Sequence, residues 1–194
     1  MSPRFSVSPG FLLLAAWFTL ANGWRTLLTV LAAAAVHELG HCLVLRALGA
    51  RISGLRIDLL GAELTADRSA LSYGGELASV LAGPAANLLC ALALTLLGGG
   101  GHFAAGAELV LCAVNLLPVR PLDGGQALYL LVSWRAGPGA GESAARWAGA
   151  ACAFPLASLL IYVMWRTRGS FWLLPPALGL LAAGTGAVLG RGAA

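Results

Sequence analysis

The chain has 194 residues, 59% of them hydrophobic and only 10% charged, with a net charge of +4 and a mean hydropathy of +0.83. A soluble domain carries about 25% charged residues, so this composition excludes a water-covered globule and indicates an all-α polytopic membrane protein, read as one domain over 1–194. All twelve basic residues are arginine, and no basic patch interleaved with aromatics indicates a nucleic-acid partner.

In chain order, Met1–Gly10 lacks a strongly basic n-region, and no A-x-A site follows a short apolar core, so no cleavable signal peptide is expected. About six spans are predicted: Val7–Trp24, Thr26–Leu48, Gly75–Leu97, a fourth beginning at His102–Leu117, then Ala144–Trp165 and Phe171–Leu189. Each is near the ~20 residues that a spanning helix needs. The third is expected to break at Gly83-Pro84. The fourth passes through Pro118 and Pro121 and resumes over Gly124–Trp134. Between spans two and three, apolar and polar residues alternate around a glycine-bearing turn. That texture predicts a β-hairpin with strands near Arg51–Asp58 and Ala62–Ala66. The four cysteines, Cys42, Cys90, Cys112 and Cys152, fall in separate apolar stretches and form no CxxC pair.

With the N-terminus in the cytoplasm, nine arginines (4, 46, 51, 56, 68, 120, 135, 146 and 191) are cytoplasmic and three (25, 166 and 168) external. The positive-inside rule favours that orientation. The second span then runs inward, and its histidines lie past its midpoint, toward the cytoplasm.

That span carries His37-Glu38-Leu39-Gly40-His41. In a helix, positions i and i+4 share a face, one turn apart, so the two imidazoles can share one divalent ion. Glu38 occupies the place where H-E-x-x-H metallopeptidases keep their general base. A histidine in an apolar segment can be a plain packing residue. Here, however, three polar or ionisable side chains crowd into five residues, each costing about 2.5–3.5 kcal/mol at bilayer depth unless paired or ligating.

A catalytic zinc takes three protein ligands and keeps one position open. Most of the acidic residues (Asp58, Glu63, Asp67, Glu76, Glu108 and Glu142 besides Asp123) read as solvated charges in polar loops. Asp123 differs. It follows Pro118 and Pro121, which remove backbone donors and unwind the span, and it precedes Gly124-Gly125, read as a flexible pair that lets the carboxylate reach a metal. Irregular backbone at membrane depth requires protein or a wet cavity around it. Asn87 and Asn115 are amides in apolar helices and need partners. His102 lies in a Gly-rich turn on the external side and is not expected to ligate.

Three motifs, His37-Glu38-Leu39-Gly40-His41, Gly83-Pro84-Ala85-Ala86-Asn87 and Asn115-x5-Pro121-x-Asp123-Gly124, resemble those of the site-2 proteases over about residues 26–130. The closest resemblance is to the sporulation-factor (SpoIVFB-type) branch, with a compact six-helix layout. The resemblance implies an intramembrane zinc metalloprotease that cuts a transmembrane segment, or its edge, near the cytoplasmic face of the cell membrane. His37, His41 and Asp123 would then bind one zinc ion, Glu38 would be the base, and Asn87 and Asn115 would position the substrate strand or the transition state. The implied partner is a membrane-tethered substrate such as a transcription, pro-sigma or anti-sigma factor, and regulatory membrane partners belong to the same reading. No CBS or PDZ domain is expected in 1–194. Two other classes make different demands on the residues. A metal transporter would spread ligands over several depths and show a repeat. A catalytically silent zinc-binding relative would not require Glu38.

Overall fold

The computed structural model describes residues 4–58, 61–98, 101–167 and 171–189. They fall into two compact units, Met1–Val114 and Asn115–Ala194.

The first unit opens with strand β1 (Arg4–Val7), then helices α1 (Pro9–Asn22) and α2 (Trp24–Ala47). Ser8 caps α1 by accepting from the Phe11 amide at 3.2 Å, with Pro9 at the first helical position, where a missing N–H costs nothing. Gly23, at φ +85°, ends α1 and starts α2; a residue with a Cβ is strained in that conformation. Strands β2 (Arg51–Asp58) and β3 (Gly61–Asp67) follow, then α3 (Tyr73–Leu97) and α4 (His102–Asn115).

The predicted hairpin is present, with β2 and β3 antiparallel and a register shift between Ile52 and Gly54. Its turn at residues 59–60 lies outside the described residues. The hairpin is part of a larger sheet, because β1 pairs in parallel with β2, Arg4 opposite Gly54 through Val7 opposite Ile57. The sheet order is β1-β2-β3, so β2 is central and the open edges belong to β1 and β3. Local pattern could not announce β1: four residues found partners fifty positions away, and the first helix starts at Pro9 instead of Val7.

A second correction concerns span three. Helix α3 runs unbroken from Tyr73 to Leu97 with Pro84 inside it. Proline's fixed φ is itself helical, so Pro84 removes one backbone donor without ending the helix. Helices α2 and α3 approach closely at Gly40: a Cβ there would lie 2.7 Å from the Ala86 Cβ and 3.0 Å from the Ala82 carbonyl carbon.

The second unit contains α5 (Asp123–Ala136), α6 (Pro138–Thr167), a 3₁₀ turn (Phe171–Leu173) and α7 (Leu174–Val188). Helix α6 buries a row of small residues, Gly141, Ala145, Gly149, Ala153 and Ala157 among them. Small residues let apolar helices approach closely where no hydrophobic drive exists between them. The expected break in the fourth span is real: α4 ends at Asn115 and α5 starts at Asp123. Among the described residues, α2, α3 and α6 are long and apolar enough to cross a membrane, while α1, α4 and α7 are shorter apolar helices. Arg168 and Arg191, used in the arginine count, lie outside the described residues.

Candidate metal centre

The α2 spacing puts His37 and His41 on one face, and α3 determines how their rings stand. The His37 Nδ1 meets Asn87 Oδ1 at 2.6 Å. The His41 Nδ1 meets the Ser79 backbone carbonyl at 2.8 Å. Ser79 is itself turned inward, donating its hydroxyl to the Glu76 carbonyl at 2.8 Å. A carbonyl oxygen only accepts, so both Nδ1 atoms carry the proton, and a neutral ring in this tautomer keeps its lone pair at Nε2.

The two Nε2 atoms face each other at 3.1 Å. Two neutral rings in this tautomer present lone pair to lone pair, an arrangement that repels until a cation stands between them. Two nitrogens bound at ~2.0–2.1 Å to one tetrahedral ion are about 3.3 Å apart. The spacing therefore fits a shared divalent ion. His37 is buried, and His41 is half-buried. Room for the pair comes from Gly83 on α3, where a Cβ would lie 2.7 Å from His37 Nε2 and also collide with the His41 ring. The glycine of Gly83-Pro84 thus lets α3 pack directly against the imidazoles. Glu38, next to His37 on α2, is half-buried.

Asn87 has no exposed surface. Its Nδ2 donates to the Ala33 carbonyl at 3.0 Å and to the Glu108 carboxylate on α4. Its whole amide is engaged with His37, Ala33 and Glu108. Glu108 is only 4% exposed. From the sequence, Glu108 groups with the solvated carboxylates. The signal that could have separated it was its place inside a predicted span, where an ionisable group is costly and needs a partner.

In the second unit, Asp123 is the first residue of α5, where a carboxylate is favoured by the helix dipole; it is half-buried. Gly124 and Gly125 are helical, and neither has a positive φ. Their value is space, which corrects the reading of a flexible pair. A Cβ on Gly125 would lie 2.6 Å from the Val119 carbonyl carbon and 2.7 Å from the Arg120 nitrogen, and one on Gly124 would lie 2.5 Å from the Leu117 carbonyl oxygen. The proline-bearing loop is pressed onto the first turn of α5. Arg120 ties it down. Its Nη1 reaches Glu142 Oε2 and its Nη2 reaches Gln126 Oε1, both at 3.0 Å, and its Cζ stands 4.5 Å from the Tyr129 ring centroid. Asn115, the last residue of α4, is half-buried. His37 and His41 offer two nitrogen donors from the first unit, and Asp123 carries in the second a carboxylate, the kind of oxygen donor that accompanies two histidines in zinc sites.

No protein-family model matches the chain. A Synechocystis protein provisionally named a zinc metalloprotease, sll0528, is 32% identical over 120 residues, or 57% of this chain. The match covers 32% of that protein, so the chain spans about a third of the length of its relative. The solved site-2 protease from Methanocaldococcus jannaschii superposes with a TM-score of 0.68 at 20% identity, covering 95% of this chain and 90% of that one. With its apolar helices and small sheet, the chain is a membrane protein with the fold of the site-2 proteases.

Proposed function

We propose that both units form one intramembrane zinc metalloprotease domain, with His37, His41 and Asp123 as ligands and Glu38 as general base. The observation that carries this reading is the 3.1 Å approach of two imidazole nitrogens whose Nδ1 protons are both committed elsewhere. The zinc metalloprotease name of the Synechocystis relative supports it.

When bound there, zinc supplies Lewis acidity toward a peptide carbonyl and toward water. Glu38 takes the proton of the attacking water and returns it to the departing amine. Asn87 and Ser79 hold the two imidazoles in the ligating tautomer. Asn87 thereby serves substrate positioning through His37, and Asn115 positions the substrate strand directly. A transmembrane helix hides its carbonyls, so the substrate must unwind before it is cut. The open edges of the sheet belong to β1 and β3, and the β3 edge, on the hairpin, is where we place an extended substrate strand, added backbone to backbone. The arginine distribution supports a multi-pass protein in the cell membrane, with the N-terminus and the site toward the cytoplasm. A membrane-tethered transcription or sigma factor is the substrate class this reading favours, with regulated intramembrane proteolysis as its setting.

The test combines metal analysis with one substitution. The purified protein is expected to hold about one zinc per chain and to cleave a reporter carrying a helix-destabilised transmembrane segment. Glu38→Gln is expected to keep the zinc and lose at least about 10²-fold in cleavage, the lower range for removing a general base. Normal cleavage by Glu38→Gln refutes the assigned base, and a metal-free wild type refutes the site.

A further inference from the structure

We infer that Glu108 is a positioning residue for the metal centre, acting on His37 through the side-chain amide of Asn87. The inference rests on the zinc reading above and extends it to a carboxylate that the proteolytic mechanism does not use.

The argument starts from an amide that can be inserted two ways. Asn87 offers an acceptor at one end and donors at the other. As placed, both Nδ2 protons meet acceptors, the Ala33 carbonyl and the Glu108 carboxylate, and Oδ1 faces the His37 Nδ1. Turning the amide over would set Oδ1 against two acceptor oxygens. It would also aim an N–H at His37 Nδ1, which would then have to be the bare nitrogen. The proton of the ring would move to Nε2, the atom that faces His41. Glu108 therefore does more than fill a polar gap: by fixing which end of Asn87 faces the imidazole, it fixes which nitrogen of His37 keeps its lone pair.

A further observation fits. Asn87 and Glu108 are both buried, so water cannot substitute for either partner. Glu108 accepts from Asn87 whether or not it carries a proton, so the orientation does not depend on its ionisation. His41 has no such chain behind it: its Nδ1 meets a backbone carbonyl, which cannot be turned over, and it serves as an internal control.

The test uses the full chain in detergent micelles. Glu108→Leu removes the acceptor, whereas Glu108→Gln keeps one. Zinc affinity is expected to fall ~10–100-fold in Glu108→Leu, the range for lost outer partners of a metal-bound histidine, and to stay within ~3-fold in Glu108→Gln. Histidine-selective ¹⁵N NMR of the metal-free protein supplies the second readout. His37 should be protonated at Nδ1 in the wild type and in Glu108→Gln, and should become a mixture of tautomers in Glu108→Leu, while His41 stays unchanged. A folded Glu108→Leu protein with wild-type zinc affinity and an unmixed His37 overturns the inference. So does a wild-type His37 protonated at Nε2, a result that needs no variant to fold. If the wild type binds no zinc, the metalloprotease reading falls by itself, and the tautomer measurement still decides whether Glu108 orients His37.

Discussion

On α2, helix periodicity spaces His37 and His41, and each ring is then tied at Nδ1 to α3. Asp123 starts a helix instead, and it takes its place from a loop pressed against two glycines and clamped by Arg120. In the first region the glycine that matters faces side-chain atoms, the imidazoles themselves. In the second, the glycines face main-chain atoms. The same chemical change, an added methyl group, should therefore do different things in the two places.

The largest effect is expected at Gly83→Ala. The new Cβ falls on the two ring nitrogens that would ligate, so the rings must turn while the helices need not move. Zinc affinity should drop at least ~10-fold, while thermal stability falls by no more than the ~1–3 kcal/mol usual for overpacking. Isothermal titration beside a thermal melt separates the two, and an alanine variant with unchanged zinc affinity breaks the distinction. Gly125→Ala comes next, with the balance reversed. Its Cβ meets main-chain atoms of Val119 and Arg120, which cannot swing aside, so the cost of ~1–3 kcal/mol should appear in the melt. The smallest effect is expected at Arg120→Ala. Its Glu142 partner is 44% exposed in its side chain, and such pairs contribute ~0–1 kcal/mol, to which the lost stacking on Tyr129 adds ~0.5–1 kcal/mol. A loss well above 2 kcal/mol would show that the clamp carries more of the loop than its exposure suggests.

Some of this was legible in the residues alone. Histidines four apart on an apolar helix announce a shared face, because helical periodicity is local. The alternation over 51–66 announces strands for the same reason, and two prolines three positions apart, Pro118 and Pro121, announce the gap between α4 and α5. What escaped was set by distant partners. β1 is a strand because β2 lies beside it. Pro84 sits inside a continuous helix, although Gly83-Pro84 read as a break. Glu108 reads as a solvated charge until Asn87 is seen against it. Gly124 and Gly125 look like hinges until the loop packed on them is visible. Each misreading concerns what a residue touches, which no window along the chain contains.

The two glycines of the α2–α3 seam are contributed crosswise, Gly40 from one helix opposite Ala82 and Ala86, and Gly83 from the other opposite the imidazoles. Neither gap admits an extra carbon unless a neighbour moves. That flank of the histidine pair is consequently closed by packed helix, and under the proteolytic reading a substrate peptide would have to arrive from another side of α2.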